Sequence, residues 1–376
     1  RSLEIKLDTE ISSLRKLYES KLSTNQLKSD LITLPVVIFA CNRPTVSKAI
    51  TSVLHAKSKL SVDQFYVPIF VSQDGTDAPT KAAIESFNEN VTLIFHQPKS
   101  SRPIDSKLSE GYFYLSQHYK DTIDKLFIER NYTSLIILED DLEVSPDFFH
   151  YFSTTLPILK KDSSIYCVSA WNDNGKDGLI DKYQPELLYR SDFFPGLGWM
   201  LLRSLWLEIR EGWPAGFWDE YMREPGVRKT RACIRPELGR TTTFGLKGVS
   251  GGQFFNDHLR YIVKYDKEET VNFDRAENFN LLGDKESYDK WWTNKVYSAE
   301  LLQVDLRIPE TRPKTIYRVE YKNKKHFERL AKKFSIMSDS KRGVPRTAYL
   351  GILSFMHRGS RIFLAPERPW TGYIDK

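Results

Sequence analysis

The chain has 376 residues, 40% of them apolar and 13% aromatic, which suffices for one large core plus a smaller domain and excludes a disordered polymer. Its 55 basic and 49 acidic residues leave a net charge of +6, too weak and too mixed for a nucleic-acid binder and consistent only with a modest preference for anionic ligands. Three cysteines argue against a disulfide-dense scaffold, and with no C-x-x-C pair and no H-E-x-x-H they argue equally against a structural zinc site or a zinc protease.

One disulfide with one free thiol remains open. No run approaches about 18 apolar residues, the length of a membrane span. The sequence starts at Arg1 with no leader pattern, which suggests that a segment has been removed from the front. Two sequons occur, Asn90-Val91-Thr92 and Asn131-Tyr132-Thr133, and they matter only in a secretory compartment.

Residues 1 to 31 place Leu7, Ile11, Leu14 and Tyr18 at alternating spacings of four and three, predicting a helical stem. Its apolar seam suits either a coiled coil or packing on the chain's own surface. From Leu34 the texture changes to apolar runs alternating with helical periodicity: LPVVIFAC then TVSKAITSVLHA, FYVPIFVSQD then APTKAAIESFNEN, SLIILEDD then SPDFFHYFSTTLPIL. This pattern predicts an α/β fold, a mostly parallel sheet flanked by helices on both faces. Ser145 is the expected cap of the third helix and Pro146 its first residue. After about residue 245 the alternation fades, and TIYRVEY and LGILSFMHRGSRIFL predict strands of a smaller C-terminal domain.

In an open parallel sheet, ligands bind outside the carboxyl ends of the strands. Three sequential strands deliver Arg43, Asp74 and the triplet Glu139-Asp140-Asp141 to one such rim. Buried unpaired carboxylates are costly, so the triplet is expected in a solvated crevice with cations or donors. Its oxygen-rich character suits Mg or Mn, and the whole rim fits a nucleoside diphosphate. Downstream, FFPGLGWMLLRSLWLEI and EGWPAGFWDEYM surround a second acidic pair, Asp219 and Glu220, with aromatic residues. Such rings stack on sugars and a neighbouring carboxylate can accept a hydroxyl proton, although a Trp-rich helix start with surface acids gives the same pattern. The glycine-rich GLKGVSGGQ reads as either a linker or a lid that donates backbone N–H groups to phosphate. There is no G-x-S-x-G for a nucleophilic serine and no Walker A motif.

LEDDLEVSPDFFHYF, CVSAWNDNG, LLYRSDFFPGLGWML, WPAGFWDEYM, RACIRPELGRT, FGLKGVSGGQFF and RGVPRTAYLGI with RIFLAP and WTGY occur in this order. On these segments the chain resembles the N-acetylglucosaminyltransferase I family from about residue 33 to its end. The resemblance implies a glycosyltransferase A type fold, with a nucleotide-sugar-binding catalytic domain over 32–245, a linker carrying a mobile lid over 246–282 and a small domain over 283–376, following the stem that the periodicity predicts over 1–31. It implies a metal-dependent, inverting transfer of N-acetylglucosamine from UDP-N-acetylglucosamine to mannose of trimmed high-mannose N-glycans on glycoproteins, with Mn2+ preferred and Mg2+ weaker. The implied setting is the Golgi lumen, with membrane attachment only through an N-terminal anchor.

Residue by residue, the resemblance implies Asp141 as metal ligand, and Glu139 and Asp140 as contacts to sugar and ribose. Arg43, Asp74 and His118 bind the base, Ser250 in a lid over 246–258 touches phosphate, and Asp219 is the catalytic base with Trp218 beside it. Arg231 falls on an arginine near the active site, and Cys167 and Cys233 on a disulfide. Two departures stand out. Gly75 occupies a position where animal members carry a cysteine, so Cys41 is expected as a buried free thiol, and Gly251-Gly252 follow Ser250 in place of one bulkier residue. Rival readings are the related O-mannose β1,2-N-acetylglucosaminyltransferase, a catalytically silent sugar-binding protein and a nucleotide-sugar hydrolase.

Overall fold

The computed structural model describes residues 31–98, 108–246, 248, 251–252, 255–304 and 309–373. The expected stem, up to residue 30, and the lid residue Ser250 lie outside the described residues.

In chain order the strands are β1 (Ile32–Thr33), β2 (Val36–Ala40), β3 (Phe65–Tyr66), β4 (Ile69–Asp74), β5 (Thr92–His96), β6 (Ser134–Glu139), β7 (Leu142–Val144), β8 (Ile165–Ser169), β9 (Leu188–Ser191), β10 (Trp199–Leu202), β11 (Ala232–Pro236) and β12 (Thr241–Thr243). Helices α1 (Val46–Ser58), α2 (Ala78–Glu85), α3 (Glu110–Asp124), α4 (Phe148–Lys161), α5 (Arg203–Ile209), α6 (Trp218–Arg223) and α7 (Pro225–Arg228) connect them. The C-terminal part contains α8 (Lys285–Tyr297), β13 (Glu300–Leu301), β14 (Ile316–Tyr321), α9 (Lys324–Lys333), β15 (Ser340–Lys341), β16 (Val344–Pro345), β17 (Leu353–His357) and β18 (Ser360–Pro366).

The main sheet has eight strands in the order β5-β4-β2-β6-β10-β8-β11-β9. Its first four strands run parallel, as the strand–helix alternation predicts. β10 runs antiparallel to both β6 and β8, and β9 antiparallel to β11. Residues of β2 and β6 alternate between two apolar layers. Val36, Ile38, Ile136 and Leu138 pack on one face with α1 and α4, while Val37, Phe39, Leu135 and Ile137 pack on the other with α3 and α5. Strands buried on both faces carry continuous apolar runs, which is why these segments show no polar alternation.

Cys167 and Cys233 sit directly opposite one another on the parallel strands β8 and β11 and form the expected disulfide, 66 positions apart. Closing such a loop stabilises the fold by roughly 4 kcal/mol in the chain-entropy account. A four-stranded sheet, β13-β14-β18-β17, encloses its own core with Phe327, Leu330 and Phe355, whereas Tyr288, Trp292 and Val296 of α8 pack with the first face of the main sheet.

The third helix departs from expectation. It starts at Phe148 with Asp147 at the capping position, and Ser145 donates its hydroxyl to Asp147 Oδ1 (2.7 Å) rather than accepting from the helix amides. The cause is distant in sequence: buried Arg240 draws the Asp147 carboxylate to 3.0 Å, and a buried ion pair outweighs a local cap. Among the described residues, no helix is long and apolar enough to cross a membrane.

Candidate active site

β4, β2 and β6 are parallel neighbours in register, so their carboxyl ends open on one rim. Arg43, three residues beyond β2, donates from Nη1 to Asp140 Oδ1 (2.6 Å) and Asp141 Oδ2 (2.8 Å). The two carboxylates hold its guanidinium charged against the effect of burial. Glu139 faces the other way and accepts a hydrogen bond from Tyr119 Oη on α3 (3.2 Å). Burial, followed by Asp141 and Asp140, pushes Glu139 up to about 8; burial pushes Asp140 up to about 6, opposed by Arg43. One guanidinium thus pairs with two carboxylates, Asp140 and Asp141, and the carboxylate oxygens it leaves unmatched suit a hard divalent cation. Among the described residues no three His, Cys, Asp or Glu side chains converge as a self-sufficient metal cage. A cation at Asp141 would therefore take other ligands from water and phosphate, as Mg and Mn commonly do.

The Asp74 end of the rim contains a residue the sequence did not single out. His96, the last residue of β5, bonds Asp74 Oδ1 through Nδ1 (2.7 Å) and approaches Asp121 with Nε2 (3.4 Å). His118 stacks on His96 with centroids 4.8 Å apart and places Nε2 2.8 Å from Ser72 Oγ. Burial, then His96, pushes His118 down to about 3, so it is neutral. The expected grouping is thus divided: Arg43 is held by the acid triplet, while His118 is linked to Asp74 through His96 and is almost fully buried.

The second acidic pair lies on α6. Phe217, with φ of 53°, turns the chain into this helix through the left-handed region. Trp218 is then buried on Tyr119, centroids 4.4 Å apart and planes 23° from parallel, and Tyr119 stacks in turn on Phe39 at 4.0 Å. Asp219 stays 40% exposed in its side chain, with Oδ2 held by Arg223 Nη1 at 2.5 Å. Arg223 is itself fixed, donating from Nε to the Phe194 carbonyl (3.1 Å) and lying over the Phe193 ring (4.8 Å). Glu220 bridges Arg223 (3.2 Å) and Lys341 of the C-terminal part (2.8 Å). The structure thus joins the acidic clusters by a continuous path, Glu139 to Tyr119 to Trp218 to Asp219.

Arg231 is engaged elsewhere, bidentate to Glu208 of α5 (3.0 and 2.9 Å) and bonded to the carbonyls of Arg228 and Val227, over the Tyr166 ring. Cys41 is free as expected but exposed, not buried: it follows β2 in the turn toward Arg43, where the chain leaves the core. Partial burial, Asp74 and Asp140 push its thiol up. Two glycines of the glycine-rich run 245–253 abut the rim. A Cβ on Gly245 would overlap the Asp141 carboxylate, and one on Gly248 would lie 3.3 Å from Arg43 Nη2.

The model of the GNT-I family matches residues 2–376. An Arabidopsis thaliana protein named alpha-1,3-mannosyl-glycoprotein 2-beta-N-acetylglucosaminyltransferase is 38% identical over 335 residues, 88% of this chain and 73% of its own length. More distant likenesses occur among solved structures. A glucosyl-3-phosphoglycerate synthase from Mycobacterium tuberculosis with Mg2+ and uridine diphosphate has a TM-score of 0.36 and 14% identity, over 57% of this chain and 72% of that one. S. aureus TarS 1-349 with UDP has a TM-score of 0.37 and 9% identity, over 55% of this chain and 58% of that one. With its family model matched from end to end and its strand-end acids, disulfide and aromatic bridge assembled in one fold, the chain belongs to the GNT-I family.

Proposed function

We propose that this chain transfers N-acetylglucosamine from UDP-N-acetylglucosamine to the 2-hydroxyl of the α1,3-arm mannose on trimmed high-mannose N-glycans, with inversion to a β linkage. Family membership and the named Arabidopsis relative support this reading, and the observation that carries it is the physical bridge between the two acidic clusters. A transfer between two substrates needs one group for the donor and another for the acceptor, set at fixed separation. A silent sugar-binding protein needs no such pair.

In this reading Asp74, oriented by His96, accepts the N–H of the nucleotide base, and Glu139 and Asp140 bond sugar and ribose hydroxyls. Asp141 holds a divalent cation, preferably Mn2+, which when bound offsets the charge that builds on the departing diphosphate. Asp219 takes the proton of the mannose 2-hydroxyl as that oxygen attacks the anomeric carbon opposite the diphosphate. Arg223 fixes one carboxylate oxygen and leaves the other for that proton. Trp218 supplies an apolar wall that keeps water from the reacting hydroxyl. Ser250 completes the phosphate contacts from the lid.

We place this activity in the Golgi lumen, on a type II protein held by an N-terminal anchor. A disulfide buried between two core strands fits an oxidising secretory compartment.

The test is an acceptor panel with labelled donor, with and without chelator. The proposal expects transfer to a trimmed high-mannose N-glycan, none to an O-mannosyl peptide, and loss of donor binding in chelator and in Asp141→Ala. Preference for the O-mannosyl peptide would assign the chain to the O-mannose reaction. Donor loss independent of acceptor would mark a hydrolase.

A further inference from the structure

The stretch DSKRGVPR, residues 339 to 346, carries three basic residues against one acid, and the proposed chemistry gives it no part. It folds as the hairpin β15–β16, with Lys341 paired to Val344 across the two-residue turn Arg342-Gly343. Both turn residues have positive φ, 49° and 75°, as the tightest hairpin turns require. The root of the hairpin is fixed to the catalytic part. Arg346, almost fully buried, donates to Asp339 (2.8 Å) and to Asp173 just beyond β8 (2.6 Å). Asn174 accepts from the Met337 amide on one side of the hairpin (2.9 Å) and bonds Thr347 on the other (3.1 Å).

Set on that root, the tip meets the acids of α6. Lys341 lies 2.8 Å from Glu220, and Arg342 lies 3.3 Å from Glu224, one helical turn further on. Both pairs are partly exposed, and such pairs add little to stability. The Lys341 pair matters for a different reason, which is what Glu220 would otherwise do. Nη1 of Arg223 serves two acids at once, Asp219 at 2.5 Å and Glu220 at 3.2 Å. Its Nε is held at the Phe194 carbonyl (3.1 Å), which limits how far the guanidinium can turn. An unneutralised Glu220 would draw Nη1 away from Asp219 and set a second negative charge beside it. Lys341 supplies the balancing charge from the other side.

We infer that Lys341 is a positioning residue for Asp219. It neutralises Glu220 and so leaves Arg223 to orient the carboxylate that takes the acceptor proton. The hairpin of the C-terminal part thereby completes the reaction centre on the catalytic part. The inference rests on the reading of Asp219 as the base.

The experiment measures kcat and donor KM at saturating acceptor, on the full chain with Mn2+ present. Lys341→Met should lower kcat about 3–30-fold with donor KM unchanged, the cost of a slightly misplaced catalytic group. Lys341→Arg keeps the charge and should restore most of the rate. Glu220→Gln decides the matter, because Lys341 then has nothing to neutralise. In that background Lys341→Met should cost under about twofold, the non-additivity expected of coupled neighbours. A hairpin that acted only by docking would lose the same rate in both backgrounds. Arg342→Gly removes the second ion pair in a conformation that glycine adopts freely, and it should leave kcat unchanged because it spares Glu220. Unchanged kcat in Lys341→Met, a loss that Glu220→Gln does not relieve, or a loss confined to donor KM would overturn the inference and leave Asp219 as the base. Near-normal kcat in Asp219→Asn, or a collapse of kcat in Glu220→Gln alone, would overturn the reading of the base and this inference with it.

Discussion

Trp218 lies on Tyr119 with ring centroids 4.4 Å apart, and the Tyr119 hydroxyl reaches Glu139 at 3.2 Å. One phenol therefore serves as platform for the helix that carries Asp219 and as donor to the first acid of the triplet. Burial, then Glu139, pushes that phenol well up, so it remains a donor. Tyr119→Phe keeps the stack and removes the donor. Donor Kd should rise about 2–10-fold, the yield of one hydrogen bond, with little change in kcat. Tyr119→Ala should lower kcat as well, because α6 loses its support. Calorimetry with Mn2+ present, paired with kcat at saturating acceptor, separates the two, and an unchanged Kd in Tyr119→Phe would refute the link.

Gly245 leaves room for Asp141, since a side chain there would overlap its carboxylate. Gly245→Ala must displace either the acid or the backbone after β12. Turnover and donor affinity should both fall about tenfold or more, from steric strain of the size typical of overpacking. Among the described residues, a Cβ at Gly248 meets only the flexible end of Arg43 at 3.3 Å, so Gly248→Ala should cost under about threefold. Equal losses at the two glycines would show that the segment acts through general flexibility and not through Asp141.

At Asp219, replacement by Asn preserves size and removes the proton acceptor. Turnover should drop about 10²–10⁴-fold, while donor Kd stays near its original value. Arg223→Met releases the carboxylate that Arg223 holds at 2.5 Å and should lower kcat without abolishing it. Its pH–rate profile should shift, as expected for a positioning residue. Near-normal kcat in Asp219→Asn would move the base to Glu220.

His118 gives stability a pH dependence of defined sign. Its folded value is pushed down to about 3, by burial and then His96 and against the pull of Asp74, whereas the unfolded imidazole titrates near 6.5. Between these values the unfolded chain binds a proton that the folded one refuses, so the stabilising contribution is complete above pH 6.5 and is lost as the pH falls toward 3. Denaturant melts from pH 7 to 4 should show His118→Gln with a shallower dependence, by up to about 1.4 kcal/mol per pH unit. Parallel curves would mean that His118 titrates normally in the fold.

The rim was legible because three uninterrupted apolar runs each end in charged residues, and parallel pairing sets those ends side by side. Arg43, Asp74 and Glu139 to Asp141 are all found there. His96 escaped because a single histidine at a strand end has no local pattern, and only the pairing of β5 with β4 brings it to Asp74. Gly245 opens a glycine-rich run that reads as linker or lid, because spacing cannot distinguish a glycine that must flex from one that must leave room. Ser145 failed as a cap through Arg240, whose influence on Asp147 crosses 93 positions of sequence. Tyr119, between two acidic clusters that begin 20 and 100 residues downstream, carries no signal in its own neighbourhood.

β10 enters the main sheet beside the first four residues of β6, with Trp199 opposite Ile137 and running against it. Every residue assigned to the nucleotide and metal except Ser250 precedes it, and Asp219, Arg223 and Lys341 all follow it. This reversed strand is a seam between the two halves of the proposed site. In the proposed reading, changes beyond it would alter which acceptor reaches Asp219, while the register of β4, β2 and β6 would leave the nucleotide rim in place.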